Sequence, residues 1–387
     1  MTPTIRYLDD PQGLSVAYAV FGSGPLLICP CWWVSHVEKD WDSPEFSRFF
    51  TTLGQHFRVV VYDRPGVGLS DRDAPARTLD SEVGLLEAMM DATSDGETAT
   101  LLAFSCGAPI ALKFASENPG RVTRICCYGG FLDGRDIATT DVQRLMLDLI
   151  RTHWGMGSRA LADVFIPDES REAFDQLVRV QRYSATAEKA AELLALTYSM
   201  DATEAVHTLT TEMLVIHRVS DRAIPSAAGR RLAAAVPGTP FLPLRGSAHP
   251  PWFGDTDVLD NVIAFLSDRP LDRPIDRPMD RSLDRRAAAA KPGSATGECY
   301  LDARNRQLVS PTGTTPLTPL EYGVAQYLID AADQVVTRDE LLTHVWQSPI
   351  AGSNKVDAVI RTLRRKFGPY AAAIETVRGH GFRYRPR

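Results

Sequence analysis

Three residues in three separate stretches have the types and order that acyl transfer requires. Leu101 to Ala108 reads LLAFSCGA, an apolar run entering a helical pattern through a turn at Ser105, with Ala103 two residues before and Gly107 two after. A strand-to-helix turn that tight presents a serine hydroxyl at a helix N-terminus and admits no large side chain at those two flanks. Cys106 does not suit the same role, because that register puts Phe104 at a flank that must be small. A hydroxyl nucleophile needs a base and an acid that orients the base. Asp221 follows the apolar run MLVIH, in HRVSDRAIP, and His249 follows PFLPL, in RGSAHPPW. Each falls in a loop just beyond a strand. The pattern predicts Ser105 as nucleophile, His249 as base and Asp221 as its orienting acid.

These loops need a frame. Short apolar runs at Leu26 to Cys29, Phe57 to Val61, Thr100 to Ala103, Thr123 to Tyr128, Met213 to His217 and Pro240 to Leu244 alternate with helical patterns. Continuous apolar strands separated by helices predict a parallel sheet covered on both faces. Residues 131–207 are helical throughout and predict a cap inserted between two strands and roofing Ser105. Trp154 of this cap and Trp32 are expected in the pocket, whereas Phe165, Phe174, Tyr183 and Tyr198 are expected mainly to fill the cap's own core. The isolated His36, His207 and His217 are expected to be packing or surface residues. The six cysteines form no CxxC pair, so they are expected as buried thiols, with no metal site and no cofactor.

At 387 residues the chain is too long for one core. A four-residue unit recurs from Asp268 to Arg286 as DRPL, DRPI, DRPM, DRSL and DRRA. Repeated proline breaks helix and alternating charge keeps the segment solvated, so 268–295 is expected as a linker between domains at 1–267 and 296–387. The net charge of −6 conceals an asymmetry, for Gly352 to Arg387 carries nine basic residues against two acidic ones. That is the balance of a nucleic-acid-binding end. TPLEYGVAQYLIDA and TRDELLTHVW each open with a capping box, Thr318 with Glu321 and Thr337 with Glu340. NKVDAVIRTLRRKFG follows as a basic helix, and ETVRGHGFRY as a hairpin with Arg378 at its tip. No apolar run is long enough to span a bilayer and no leader pattern opens the chain, so a cytoplasmic location is expected.

The first domain resembles the α/β-hydrolase fold, a doubly wound, mostly parallel sheet with a helical cap, on the elbow, on YDRPGVGLSD at Tyr62 to Asp71 and on ENPGRV after the elbow helix. More narrowly, PCWWVSHVEKDW at Pro30 to Trp41 and HWG at His153 to Gly155 resemble hydrolase-like domains fused to bacterial regulators and cyclases. Where ordinary members carry His-Gly, this chain has Pro30-Cys31-Trp32-Trp33. The resemblance implies an oxyanion hole from the backbone N–H groups of Trp32 and Cys106, crowded by two indoles so that turnover is weak. The last domain resembles the winged-helix effector of OmpR/PhoB-type regulators. That resemblance implies, on double-stranded DNA, Arg361, Thr362 and Arg365 toward bases or backbone, Arg364 on phosphate, and Thr376 and Arg378 as wing contacts, with Lys355 of the same basic helix also DNA-binding. The combination points to a dimeric, ligand-responsive transcriptional regulator that senses a small molecule, such as an ester or lactone. The alternative is a working esterase or lactonase with a DNA-binding tail.

Overall fold

The computed structural model describes residues 3–254, 256–267, 300–302, 307–310, 313–330, 335–345, 354–377 and 380–385. The expected linker at 268–295 and the wing tip with Arg378 lie outside them. The chain divides into two compact units, Met1–Pro278 and Met279–Arg387.

In the first unit, strands β1 (Ile5–Asp9), β2 (Ser15–Gly22), β3 (Leu26–Ile28), β4 (Arg58–Tyr62), β5 (Ala99–Phe104), β6 (Val122–Tyr128), β7 (Glu212–Arg218) and β8 (Phe241–Leu244) form one sheet. Its order is β1-β2-β4-β3-β5-β6-β7-β8. All pairs from β4 to β8 are parallel. The first two strands were not anticipated. They add an antiparallel edge, β1 to β2 and β2 to β4. Every residue of β5 is buried, as a strand between two helical layers must be.

One face of the sheet packs on α1 (Pro44–Leu53) and α9 (Asp257–Leu266) through Phe46, Phe50, Val258 and Val262. The other packs on α2 (Leu79–Thr93), α3 (Gly107–Glu117) and α8 (Ser226–Ala235) through Leu86, Met89, Ile110 and Leu232. Between β6 and β7 stand α4 (Thr140–Thr152), α5 (Trp154–Phe165), α6 (Arg171–Ser184) and α7 (Ala187–Ser199), the helical cap read from the sequence. The loop after β4 closes on Asp63, which accepts from Ser35 Oγ at 2.6 Å and from Leu69 N–H at 3.0 Å. Gly68 (φ +57°) is required there, because a Cβ would fall 1.9 Å from Asp63 Oδ2.

In the second unit β9 (Tyr300–Asp302), β10 (Gln307–Ser310) and β11 (Gly313–Pro316) form one small sheet. Helices α10 (Pro319–Asp330), α11 (Arg338–His344) and α12 (Asn354–Phe367) follow, and β13 (Ile374–Val377) pairs with β14 (Gly381–Tyr384), which also pairs with β12 (Val336–Thr337). Both capping boxes form. Glu321 N–H donates to Thr318 Oγ1 at 3.3 Å while Thr318 N–H donates to Glu321 Oε2 at 2.8 Å, and Thr337 and Glu340 repeat the exchange. Val356, Ile360, Leu363 and Phe367 bury one stripe of α12, at the spacing seen in the sequence. Among the described residues, no helix is long and apolar enough to cross a membrane.

Candidate active site and nucleic-acid interface

Ser105 directly follows β5 with φ +51°, left-handed for a residue that has a Cβ. The flanking small residues have clear reasons. Ala103 is fully buried, and a Cβ on Gly107 would sit 3.1 Å from the Pro30 carbonyl, so elbow and oxyanion loop pack backbone to backbone. The N–H groups of Trp32 and Cys106 make no hydrogen bond among the described residues. Beneath them lies Arg64, fully buried, donating from Nη2 to the Cys31 carbonyl at 3.1 Å and lying 3.6 Å from Cys106 Sγ. Its charge is balanced by Glu82, 3.5 Å away, which Arg77 also pairs at 2.9 Å. Burial, opposed only in part by Arg64, pushes the Cys106 thiol up. It is therefore no rival nucleophile to Ser105.

Asp221 and His249 meet as expected, His249 Nδ1 lying 2.8 Å from Asp221 Oδ2. The carboxylate also accepts from the N–H groups of Ala223 at 2.8 Å and Ile224 at 3.1 Å. Burial works to raise its pKa, but the charge and hydrogen bond of His249 and the nearby His217 imidazole outweigh it and hold Asp221 well below the usual carboxylate range. His217, expected only to pack, is fully buried with Nε2 3.5 Å from the same oxygen and 2.9 Å from the Ile224 carbonyl. The signal for it was its place at the end of β7, four residues before Asp221. Arg218, beside it, fixes the His249 loop by donating to the carbonyls of Arg245 at 2.9 Å and Phe253 at 2.7 Å.

Ser105 and His249 line one cleft of about 610 Å³, mouth included, with Trp32, Trp33, Phe104, Phe165, Leu177, Val180, Gln181 and Trp252 among its walls. The cap presents to the cleft a different aromatic from the expected Trp154. Phe165 faces the cleft, stacked on the His249 ring with centroids 5.5 Å apart. Trp154 does not line it. That indole packs edge-on against Trp33 at 6.1 Å and donates to the Ala185 carbonyl at 3.1 Å, one layer out. The two indoles of the oxyanion loop also diverge. Trp32 packs among Phe46, Phe50, Phe104 and Trp252, whereas Trp33 turns toward the cap and donates to the Ala190 carbonyl at 3.0 Å. Both indoles nevertheless line the cleft that holds Ser105. Among the described residues no cluster of His, Cys, Asp or Glu is arranged to hold a metal ion.

On α12, Arg361 and Arg365 are exposed, and Thr362 is half-buried with its hydroxyl donating to the Ala358 carbonyl at 3.1 Å. Arg364, expected on phosphate, is engaged within the domain. Its guanidinium donates twice to the Ile374 carbonyl, at 3.0 and 2.7 Å, and to Thr376 Oγ1 at 2.8 Å, tying the helix to β13. Thr376, expected at the wing, is exposed and holds the other end of that tie. Val359 packs against the domain core. Lys355 lies on the same helix; its side chain and Arg378 are outside the described residues.

Comparison with known proteins agrees with this division. Residues 24–152 match the family described as alpha/beta hydrolase fold, and residues 313–384 match Transcriptional regulatory protein, C terminal. The chain is 24% identical over 237 residues to the pyrrolizixenacetamide deacetylase of Xenorhabdus hominickii, covering 59% of this chain and 86% of that one. It is 41% identical over 69 residues to the response regulator ArlR of Staphylococcus aureus, covering 17% of this chain and 32% of that one. The esterase EaEST of Exiguobacterium antarcticum superposes with a TM-score of 0.61 at 16% identity, covering 68% of this chain and all of that one, a likeness of fold. The chain thus joins an α/β-hydrolase-fold domain to a C-terminal winged-helix domain of the OmpR/PhoB type of transcriptional regulator.

Proposed function

We propose that this protein is a ligand-responsive transcriptional regulator, in which a small molecule bound over Ser105 controls the binding of the winged helix to double-stranded DNA. The observation that carries the proposal is the fusion itself. A cleft with Ser105 at a strained elbow and a His249–Asp221 pair 2.8 Å apart occupies the same chain as a basic winged helix. In the cleft, His249 takes the Ser105 proton, Asp221 orients the imidazole, and the Trp32 and Cys106 N–H groups receive the developing oxyanion of an ester or lactone carbonyl. Ligand can shift DNA binding only through unequal affinity for two arrangements of the protein, which pairing of two copies would supply. A dimer would also set the spacing of two winged helices on tandem half-sites.

A second reading is favoured by one observation, the similarity to a deacetylase over most of that protein's length. In it the protein is a working serine hydrolase, acting on an ester or lactone, whose DNA-binding domain localises it or regulates its own gene. A serine-directed phosphonate and a short-chain p-nitrophenyl ester separate the two. Labelling at Ser105 with little ester turnover supports a sensor, rapid turnover supports the hydrolase, and labelling that persists in Ser105→Ala contradicts both.

A further inference from the structure

One polar side chain in the cleft has no work within the protein. Gln181, on α6, is 1% exposed, and among the described residues neither its Nε2 nor its Oε1 has a hydrogen-bond partner. Buried amides are almost always satisfied, and one left bare is destabilising. The residue lines the cleft beside Leu177 and Val180 of the same helix, within a wall otherwise dominated by aromatic rings. An apolar side chain of the same size would pack there without that cost.

We propose that Gln181 is a specificity-determining residue that pairs with a neutral amide on the ligand, a primary carboxamide or a lactam attached to an apolar, aromatic-sized body. The ligand group must both accept from Nε2 and donate to Oε1. A carboxylate only accepts and an ammonium only donates. Among the described residues, no lysine or arginine lines the cleft to balance an anion. The carboxyl of Asp40, which also lines it, is pushed above the usual carboxylate range by burial, opposed by the His36 N–H and reinforced by Asp63 and Asp42, and it offers an anion no favourable charge. A site built to hydrogen-bond one group discriminates strongly against analogues that lack it. The inference deepens the ligand-binding reading above and rests on it for the identity of the cleft.

The test is a titration of the full-length chain with three probes, benzamide, benzoate and isopropylbenzene, followed by the fluorescence of the indoles that line the cleft. In wild type, benzamide is expected to bind at least tenfold more tightly than benzoate. Gln181→Leu should weaken benzamide about tenfold, the loss of two neutral hydrogen bonds, and should tighten isopropylbenzene. The ligand-free Gln181→Leu protein should melt higher than wild type, because a bare buried amide has gone. Gln181→Met gives the same comparison if the leucine variant does not fold. Unchanged probe ratios together with a lower melting temperature would overturn the inference and make Gln181 a packing residue. Benzoate binding as well as benzamide would overturn the neutral-amide class. Phosphonate labelling of Ser105, run in parallel, reports on the catalytic reading separately. Labelling without Gln181-dependent selectivity removes the inference alone, and selectivity without labelling leaves it standing while removing the acyl-transfer chemistry.

Discussion

His217 Nε2 lies 3.5 Å from Asp221 Oδ2, so the carboxylate that orients His249 is bounded on another side by a second, fully buried imidazole. Because Nε2 faces the Ile224 carbonyl at 2.9 Å, that nitrogen carries the hydrogen. That N–H is directed at the carbonyl, so His217 bounds the acid without competing for the base.

The first expectation concerns acid. Asp221 is held below its ordinary pKa in the folded chain, so the stability this brings is present above the ordinary carboxylate range and is lost as pH falls through it toward the lower folded value. Asp221→Asn should therefore be less stable than wild type at pH 7, by about 2 kcal/mol for a buried, multiply bonded carboxylate. The difference should shrink steadily below pH 4. Denaturant melts of both proteins between pH 7 and pH 3 check this, and a gap that widens with acid contradicts it.

The elbow itself stores strain. Ser105→Ala should abolish ester turnover and phosphonate labelling while keeping the unfavourable φ, because alanine also has a Cβ. Ser105→Gly should abolish the chemistry and raise stability by about 1 kcal/mol, since glycine adopts φ +51° freely. Equal melting midpoints for the two variants would count against strain at this position.

At the DNA-binding end the basic residues of α12 should separate into two classes. Arg361 and Arg365 are exposed, so replacing either with alanine should weaken binding and reduce the salt dependence of affinity by about one released counterion. Arg364 is engaged with Ile374 and Thr376. Arg364→Ala should instead lower the melting temperature of the winged-helix domain and leave the salt slope nearly unchanged. Salt titrations of duplex binding, paired with thermal melts, separate the two behaviours.

The parts legible in the sequence are those with a local cause. Continuous apolar runs announced the parallel strands β3 to β8, and the fixed spacing of Ala103, Ser105 and Gly107 announced the elbow. Both Thr–Glu capping boxes were readable three residues apart. The antiparallel edge β1–β2 was missed: β1 lacks a continuous apolar run, although β2 carries one from Val16 to Phe21. Trp154 and Phe165 begin and end the same helix, and nothing in their types says which faces the cleft. Arg364 looked like its exposed neighbours Arg361 and Arg365 because its partner, the Ile374 carbonyl, is ten residues away on another element. Gln181 carried no sequence signal, for an unpartnered amide is recognised only once its surroundings are known.

Occupancy of the cleft should be felt at the DNA, and the affinity of the full-length protein for its own upstream duplex measures that directly. The comparison is wild type before and after complete labelling of Ser105 by a serine-directed phosphonate, with Ser105→Ala treated identically. A ligand-controlled regulator should show at least a fivefold change in affinity on labelling, a coupling of about 1 kcal/mol, and none in Ser105→Ala. The same affinity in labelled and unlabelled wild type, with labelling verified by mass, would contradict control of DNA binding by the cleft and leave a hydrolase tethered to a DNA-binding domain.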